Sequence, residues 1–267
     1  MSRVHPLACI DRGATISDDA EIGPFCVIGP NVSIGAGCRL VANVHITGHT
    51  TIGARTVIYP YASLGTPPQS TKYRGGPTQL LIGSDCEIRE YVTMNTGTED
   101  GGGVTRIGNG GMFLGSSHIG HDCQIGDGVI FANVAMLGGH CEIGAGVIMG
   151  AMTGAHQFTR IGEGAMIGAV TGVRGDVIPF GLVVGDTARL TGLNVVGLRR
   201  RGVSTQSLAA LRRAYRILFH STDPMPARLD AIDAEFAGEP YVLQITAFVR
   251  ARANRPLCRP GQRDASG

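Results

Sequence analysis

The chain has 267 residues, a net charge of +2 and a hydrophobic content of 43%, with few aromatics and no Trp. Gly occurs 41 times, about twice its ordinary share of about 7%, yet no Gly-x-y triplet recurs. This excludes collagen, the apolar content excludes disorder, and so small a net charge argues for neither nucleic acid nor a membrane surface. Seven cysteines without a C-x-x-C pair read as reduced thiols, residues 1–11 lack a signal-peptide core, and no run of 18 apolar residues occurs, so a cytoplasmic location is expected.

Taken in chain order, the first and dominant signal is periodic. Stepping by six from Ile10 gives Ile16, Ile22, Ile28, Ile34, Leu40, Ile46, Ile52, Ile58 and Leu64, with Gly following at 23, 29, 35, 53 and 65. The phase returns at Ile82, Ile88 and Met94. It resumes one residue out of step at Ile107 and runs by sixes through Phe113, Ile119 and Ile125 to Val173. An aliphatic-Gly-x-x-x-x repeat predicts a left-handed parallel β-helix over 1–190. Six residues make a short strand and a corner, three such units close a coil of 18, and coils stack at about 4.8 Å. The first position points inward, and the fifth must be small. Cys26, Cys38, Cys86, Cys123 and Cys141 sit there, as small buried hydrophobes rather than metal or redox groups.

Two stretches, 65–80 and 97–105, break the rhythm and are expected as loops ejected from corners, where binding residues tend to lie. Past Pro179 the repeat fades, and a C-terminal α-helical domain is expected over 191–254. Ser204 caps a helix through Leu208, Leu211, Tyr215 and Leu218, and Pro224, Pro226 and Pro240 separate two more. Residues 255–267 read as a flexible tail. The flat apolar sides of the helix predict a homotrimer.

The chemistry concentrates in one place. Positions 119–124, 137–142 and 155–160 are 18 apart, so they form the same side of three successive coils. That side carries His121, His140 and His156, with His118 at its leading corner. Two readings stay open on the residues alone. Three imidazoles suit zinc, as in a β-helical zinc lyase; a neutral imidazole also suits a general base. Asp122 beside His121 would steady that base, although adjacent residues of a strand point opposite ways. Gly138-Gly139-His140 offers backbone N–H groups for a developing oxyanion. No Ser or Cys stands in a nucleophile setting, which favours direct transfer to an acceptor. A purely structural hexapeptide protein is the third alternative.

The segments His118-Ile119-Gly120-His121-Asp122-Cys123, Gly138-Gly139-His140, His156-Gln157-Phe158, Gln69-x-x-Lys72-Tyr73 and Asn194-x-x-Gly197-Leu198-x-Arg200-Arg201-Gly202 together resemble the UDP-N-acetylglucosamine O-acyltransferase family, over roughly residues 3–253. The resemblance implies transfer of an (R)-3-hydroxyacyl chain from acyl carrier protein to the 3-hydroxyl of UDP-N-acetylglucosamine, the first step of lipid A biosynthesis, with no cofactor or metal. It implies His121 as general base with Asp122 beside it and the Gly139 N–H at the oxyanion. His118, His140, His156, Gln157, Gln69, Ser70 and Lys72 would position the sugar nucleotide. Asn194, Arg200 and Arg201 would hold its uridine and phosphates or the incoming donor, and Ala169 would stand as acyl-chain ruler. Two departures bear on the acceptor. Ser70 stands where many relatives carry Asp, and Asn95-Thr96 stands where they place His-Arg. A 3-amino analogue of the sugar nucleotide, acylated to an amide, is therefore the alternative acceptor.

Overall fold

The inward ladder of large aliphatic residues closes into a coil because each six-residue step alternates one buried side chain with a tight corner. The computed structural model describes residues 3–251 and 253–261. From Ile22 to Val173 the ladder positions are buried, as are the five corner cysteines. Ile10 and Ile16 are only partly covered, because the first coil has no coil stacked before it. Two ladder positions take Phe instead: Phe113 and Phe131 are fully buried and stack at 5.3 Å. Each such side chain taken from water stabilises the fold by about 1.5–3 kcal/mol.

The coils form a left-handed parallel β-helix of three sheets with eleven, nine and eight strands, in which each strand before Met166–Ile167 pairs with strands three positions away in the chain order. The usual register step is 18 residues, as in Val27 against His45 or Glu142 against Arg160. Two coils are longer, setting Ser63 against Thr93 and Thr93 against His118. Both take their extra residues at the same corner, where the chain passes from the nine-stranded to the eight-stranded sheet. One segment lies between strands Ser63–Thr66 and Gln79–Ile82, the other between Thr93–Asn95 and Val104–Ile107.

The helix ends in a reversal. Strand Gly181–Val184 runs parallel to its predecessor, but Arg189–Leu193 returns antiparallel to it. Four helices follow: α1 (Val195–Arg200), α2 (Thr205–His220), α3 (Met225–Glu235) and α4 (Pro240–Arg250). Ser204 Oγ accepts from Ser207 N at 3.0 Å and caps α2. Pro226 and Pro240 occupy first-turn positions of α3 and α4, where a missing N–H costs nothing.

The tail departs from expectation. Residues 255–261 do not hang free: Leu257 bridges to Asp176, Leu190 N donates to Arg259 O, and Cys258 is buried. Composition suggested a free tail, but the last coil leaves backbone groups of Asp176 open, and an apolar Leu-Cys pair can cover them. Residues 262–267 lie outside the described residues.

Asp176 is the joint of this end. Its buried carboxylate accepts from Arg160 N at 2.9 Å and Arg160 Nε at 2.7 Å, while the Arg160 guanidinium lies 4.3 Å from the Phe248 ring of α4. Removing one partner of a buried pair strands the other charge, at a cost of about 3–5 kcal/mol. Asp176→Ala should therefore lower the unfolding free energy measured by chemical denaturation by an amount in that range, with an earlier midpoint. A midpoint equal to wild type would show that the pair does not hold the last coil to the helices.

Candidate functional site

The histidines gather at the corner that also ejects the two loops, not along a flat side. His121, Gly139 and Gln157 occupy equivalent places in three successive coils. Asp122, His140 and Phe158 occupy the next place, each with left-handed backbone at φ of 61°, 61° and 63°. The His121 and His140 rings meet edge to face at 5.0 Å, and His140 stacks on Phe158 at 4.4 Å. His156 follows strand Gly154–Ala155 and is exposed. His118, in strand His118–Ile119, is partly buried and bonded through Nδ1 to Thr93 Oγ1 at 2.7 Å.

At the centre is a buried carboxylate. Asp122 Oδ1 accepts from Thr98 N at 2.9 Å, Oδ2 accepts from Thr98 Oγ1 at 2.6 Å, and Oδ2 lies 2.8 Å from His121 Nδ1. Asp122 N donates to Thr105 Oγ1 at 2.8 Å. The left-handed turn answers the question that strand alternation posed: at a corner, neighbouring side chains can face the same way. The loop closes over this carboxylate because residue 101 is Gly, where a Cβ would stand 2.3 Å from Asp122 Oδ2.

With Nδ1–H given to Asp122, the neutral His121 ring presents the Nε2 lone pair. The ring lies over Gly139, where a Cβ would come within 2.5 Å of Cε1, so only Gly admits it. Among the described residues no backbone carbonyl accepts from Gly139 N. A base and a nearby open N–H donor thus share one spot. The ligand atoms of His121, Asp122 and His140 lie within 4.8 Å of one another. Both Asp122 oxygens are already committed to Thr98 and His121, however, which suits a dyad better than a metal set.

The two ejected loops are tied together. Glu99 Oε1 accepts from Gly76 N at 2.8 Å and Arg74 N at 3.2 Å. Asn95 Nδ2 donates to Thr66 Oγ1 at 2.9 Å and Pro67 O at 3.1 Å, and the Thr96 and Thr78 hydroxyls lie 3.0 Å apart. The unusual Asn95-Thr96 pair therefore anchors the base of the first loop. Ser70 Oγ accepts from Lys72 N at 3.3 Å, shaping the turn that leaves Gln69 and Lys72 exposed.

Other expected site residues stand elsewhere on the chain. Arg201 donates to Gly146 O at 3.0 Å and pairs with Glu163 at the corner between the eight- and eleven-stranded sheets; Arg200 is exposed beside it. Asn194 Oδ1 caps α1 through Gly197 N at 3.0 Å and its Nδ2 donates to Gly164 O at 3.1 Å, so one lone pair and one N–H remain for a ligand. Ala169 is exposed at the third corner. One chain thus brings together the four histidines, Asp122, Gly139 and Gln157, but not Asn194, Arg200, Arg201 or Ala169.

Thr93, Thr98, Thr105, Phe158 and Arg255 also contact this constellation and were not anticipated. Phe158 was readable, being 18 residues beyond His140. Thr93 and Thr105 sit in strands, Thr93 in register with His118, whereas Thr98, in the irregular loop, carries no spacing signal.

Two imidazoles are held below the ordinary range. Burial lowers His118, with His121 adding to it. Burial lowers His140 as well, with His121 and Lys72 adding and Asp122 opposing. The unfolded chain therefore takes up protons first, and both groups subtract stability as pH falls through about 6.5. NMR titration should find both midpoints below 6.5; a midpoint above it for His140 would mean that Asp122 outweighs burial.

Residues 176–258 match the family described as Udp N-acetylglucosamine O-acyltransferase, domain 2, and residues 13–48 match the bacterial transferase hexapeptide family. The chain is 58% identical to the acyl-[acyl-carrier-protein]–UDP-N-acetylglucosamine O-acyltransferase of Azorhizobium caulinodans, over 97% of this chain and 96% of that one. It is 53% identical to the protein of the same name from Mesorhizobium japonicum, over 99% and 95%. The crystal structure of UDP-N-acetylglucosamine O-acyltransferase from Moraxella catarrhalis superposes with a TM-score of 0.93 at 39% identity, covering 96% of this chain and all of that one. Identity at this level along nearly the whole length, with a matching fold, has one reading: the chain belongs to the acyl-[acyl-carrier-protein]–UDP-N-acetylglucosamine O-acyltransferase family.

Proposed function

We propose that the chain transfers an (R)-3-hydroxyacyl group from acyl carrier protein to the 3-hydroxyl of UDP-N-acetylglucosamine in the cytoplasm, opening lipid A synthesis. The observation that carries the reading is the His121–Asp122 contact beside the open N–H of Gly139. His121 Nε2 takes the proton of the sugar hydroxyl as its oxygen attacks the thioester carbonyl. The Gly139 N–H receives the oxyanion, and Asp122 steadies the imidazolium. Collapse expels the carrier thiolate, which takes that proton from His121 and leaves as the thiol. The acyl group has moved from sulfur to oxygen, and the base is restored.

In this reading His118, His140, His156, Gln157, Gln69, Ser70 and Lys72 contact the sugar nucleotide. The altered pair Asn95-Thr96 is used in holding a loop, which supports the 3-hydroxyl acceptor over the 3-amino analogue. His121→Ala should fold normally and lose about 10²–10⁴ of the rate, the span of a general base. A variant with wild-type turnover would move the base to another group. In a mixture of the two sugar nucleotides, ester formation on UDP-N-acetylglucosamine is expected; amide product alone would overturn the acceptor.

The remaining residues enter the site in a homotrimer. The corner between the eleven- and nine-stranded sheets exposes an apolar ridge that includes Phe25, Tyr61, Tyr91, Met152 and Val170. Val170 holds φ of 57°, a conformation costly for a β-branched residue, and is 63% exposed. Burying that ridge against a second copy supplies a reason for it, and would set Ala169 beside a neighbouring chain. In the same way Asn194, Arg200 and Arg201 would face a neighbour's histidines. Sedimentation equilibrium should give three times the 27.8 kDa chain mass. A fully active monomer would end both the trimer and the shared cleft.

A further inference from the structure

The segment after α4 returns to the end of the β-helix as a strap. Asp176 N donates to Pro256 O and Cys258 N donates to Asp176 O, both at 2.8 Å, and Cys258 Sγ lies 3.3 Å from Gly175 O. Gly175 permits the approach, since a Cβ there would stand 2.6 Å from Pro256 O. These anchors are mostly backbone groups, so the strap stays in place whatever side chain residue 255 carries.

That side chain crosses to the histidine corner. Arg255 Nε donates to Gln157 O at 3.1 Å, and Nη2 lies 2.5 Å from His156 Nδ1. A guanidinium only donates, so His156 Nδ1 must accept, and the neutral ring then carries its proton on Nε2. The 3.4 Å separation of His156 Nδ1 from Gln157 O is that of two acceptors gripped by one guanidinium. Arg160, Arg201, Arg213 and Arg250 each pair with a carboxylate. Among the described residues Arg255 has no such pair, and its remaining N–H groups form part of a planar fork of the kind that fits phosphate oxygens.

We propose that Arg255 holds His156 as an Nε2–H donor and gives its remaining N–H groups to a phosphate of a substrate. This rests on reading the corner as an acyl-transfer site. Two phosphates could arrive there, the diphosphate of the nucleotide sugar and the phosphodiester of the carrier's pantetheine arm, and kinetics separates them. The full-length protein with Arg255→Met or Arg255→Lys is assayed with UDP-N-acetylglucosamine and acyl carrier protein varied in turn. Arg255→Met should raise KM for one of them by about tenfold or more, as loss of a charge-assisted contact does, with kcat little changed. Lys, which restores charge without the fork, should recover part of the loss. The substrate whose KM moves identifies the phosphate, and an unchanged KM for both overturns the contact. Nitrogen-15 NMR of His156 reads the other half: Nε2 protonated and Nδ1 bare in wild type, a tautomer mixture in Arg255→Met. The same spectrum in both proteins overturns the positioning role. Failure of the wild-type protein to acylate UDP-N-acetylglucosamine would instead sink the functional reading, leaving the spectra to stand by themselves.

Discussion

Parallel stacking in register is the constraint on which everything else rests. Each coil must place its strands against those of the coil before it, and the chain meets that demand with an 18-residue period. Extra residues cannot be absorbed within a strand without turning every following side chain inside out. They leave at a corner, and here both insertions leave at one corner in successive coils. The corner that suffers this irregularity gains a roof, and beneath the roof sits the one fully enclosed carboxylate among the histidines.

That carboxylate shows how scaffold and chemistry divide the labour. Asp122 is buried, and a bare carboxylate in such a place would be expensive. Thr98 meets it with a backbone N–H and a hydroxyl, and His121 takes the remaining position. The second ejected loop therefore acts on His121 indirectly: it satisfies Asp122, and Asp122 fixes which nitrogen of His121 is free. Glu99, next to Thr98, ties the first loop to the same anchor. Lys72 and the dyad are thereby held in one connected piece.

Much of this was legible because it is periodic. The inward ladder, the small corner cysteines, the ejected loops and the grouping of His118, His121, His140 and His156 all follow from counting residues. What escaped the reading depends on local backbone shape or on distant return of the chain. Strand logic left the His121–Asp122 contact open because it does not apply to a left-handed corner residue. Thr98 acts from a loop with no period to count. Residues 255–261 have the composition of a loose end, and their role comes from the bridge of Leu257 to Asp176, far back along the chain. Asn194 and Ala169 were placed by resemblance, and the single chain sets them at other corners than the histidines.

The antiparallel return of Arg189–Leu193 has a consequence for the molecule as a polymer hazard. A parallel β-helix presents unpaired strand edges at its ends, and each is a template on which another coil, or another molecule, could add. A strand running the wrong way ends the eleven-stranded sheet, so a further parallel coil finds no matching ladder there. The strap at Asp176 occupies backbone groups beside it. On that sheet the direction of the chain, rather than charge, opposes growth of the column by a further parallel rung.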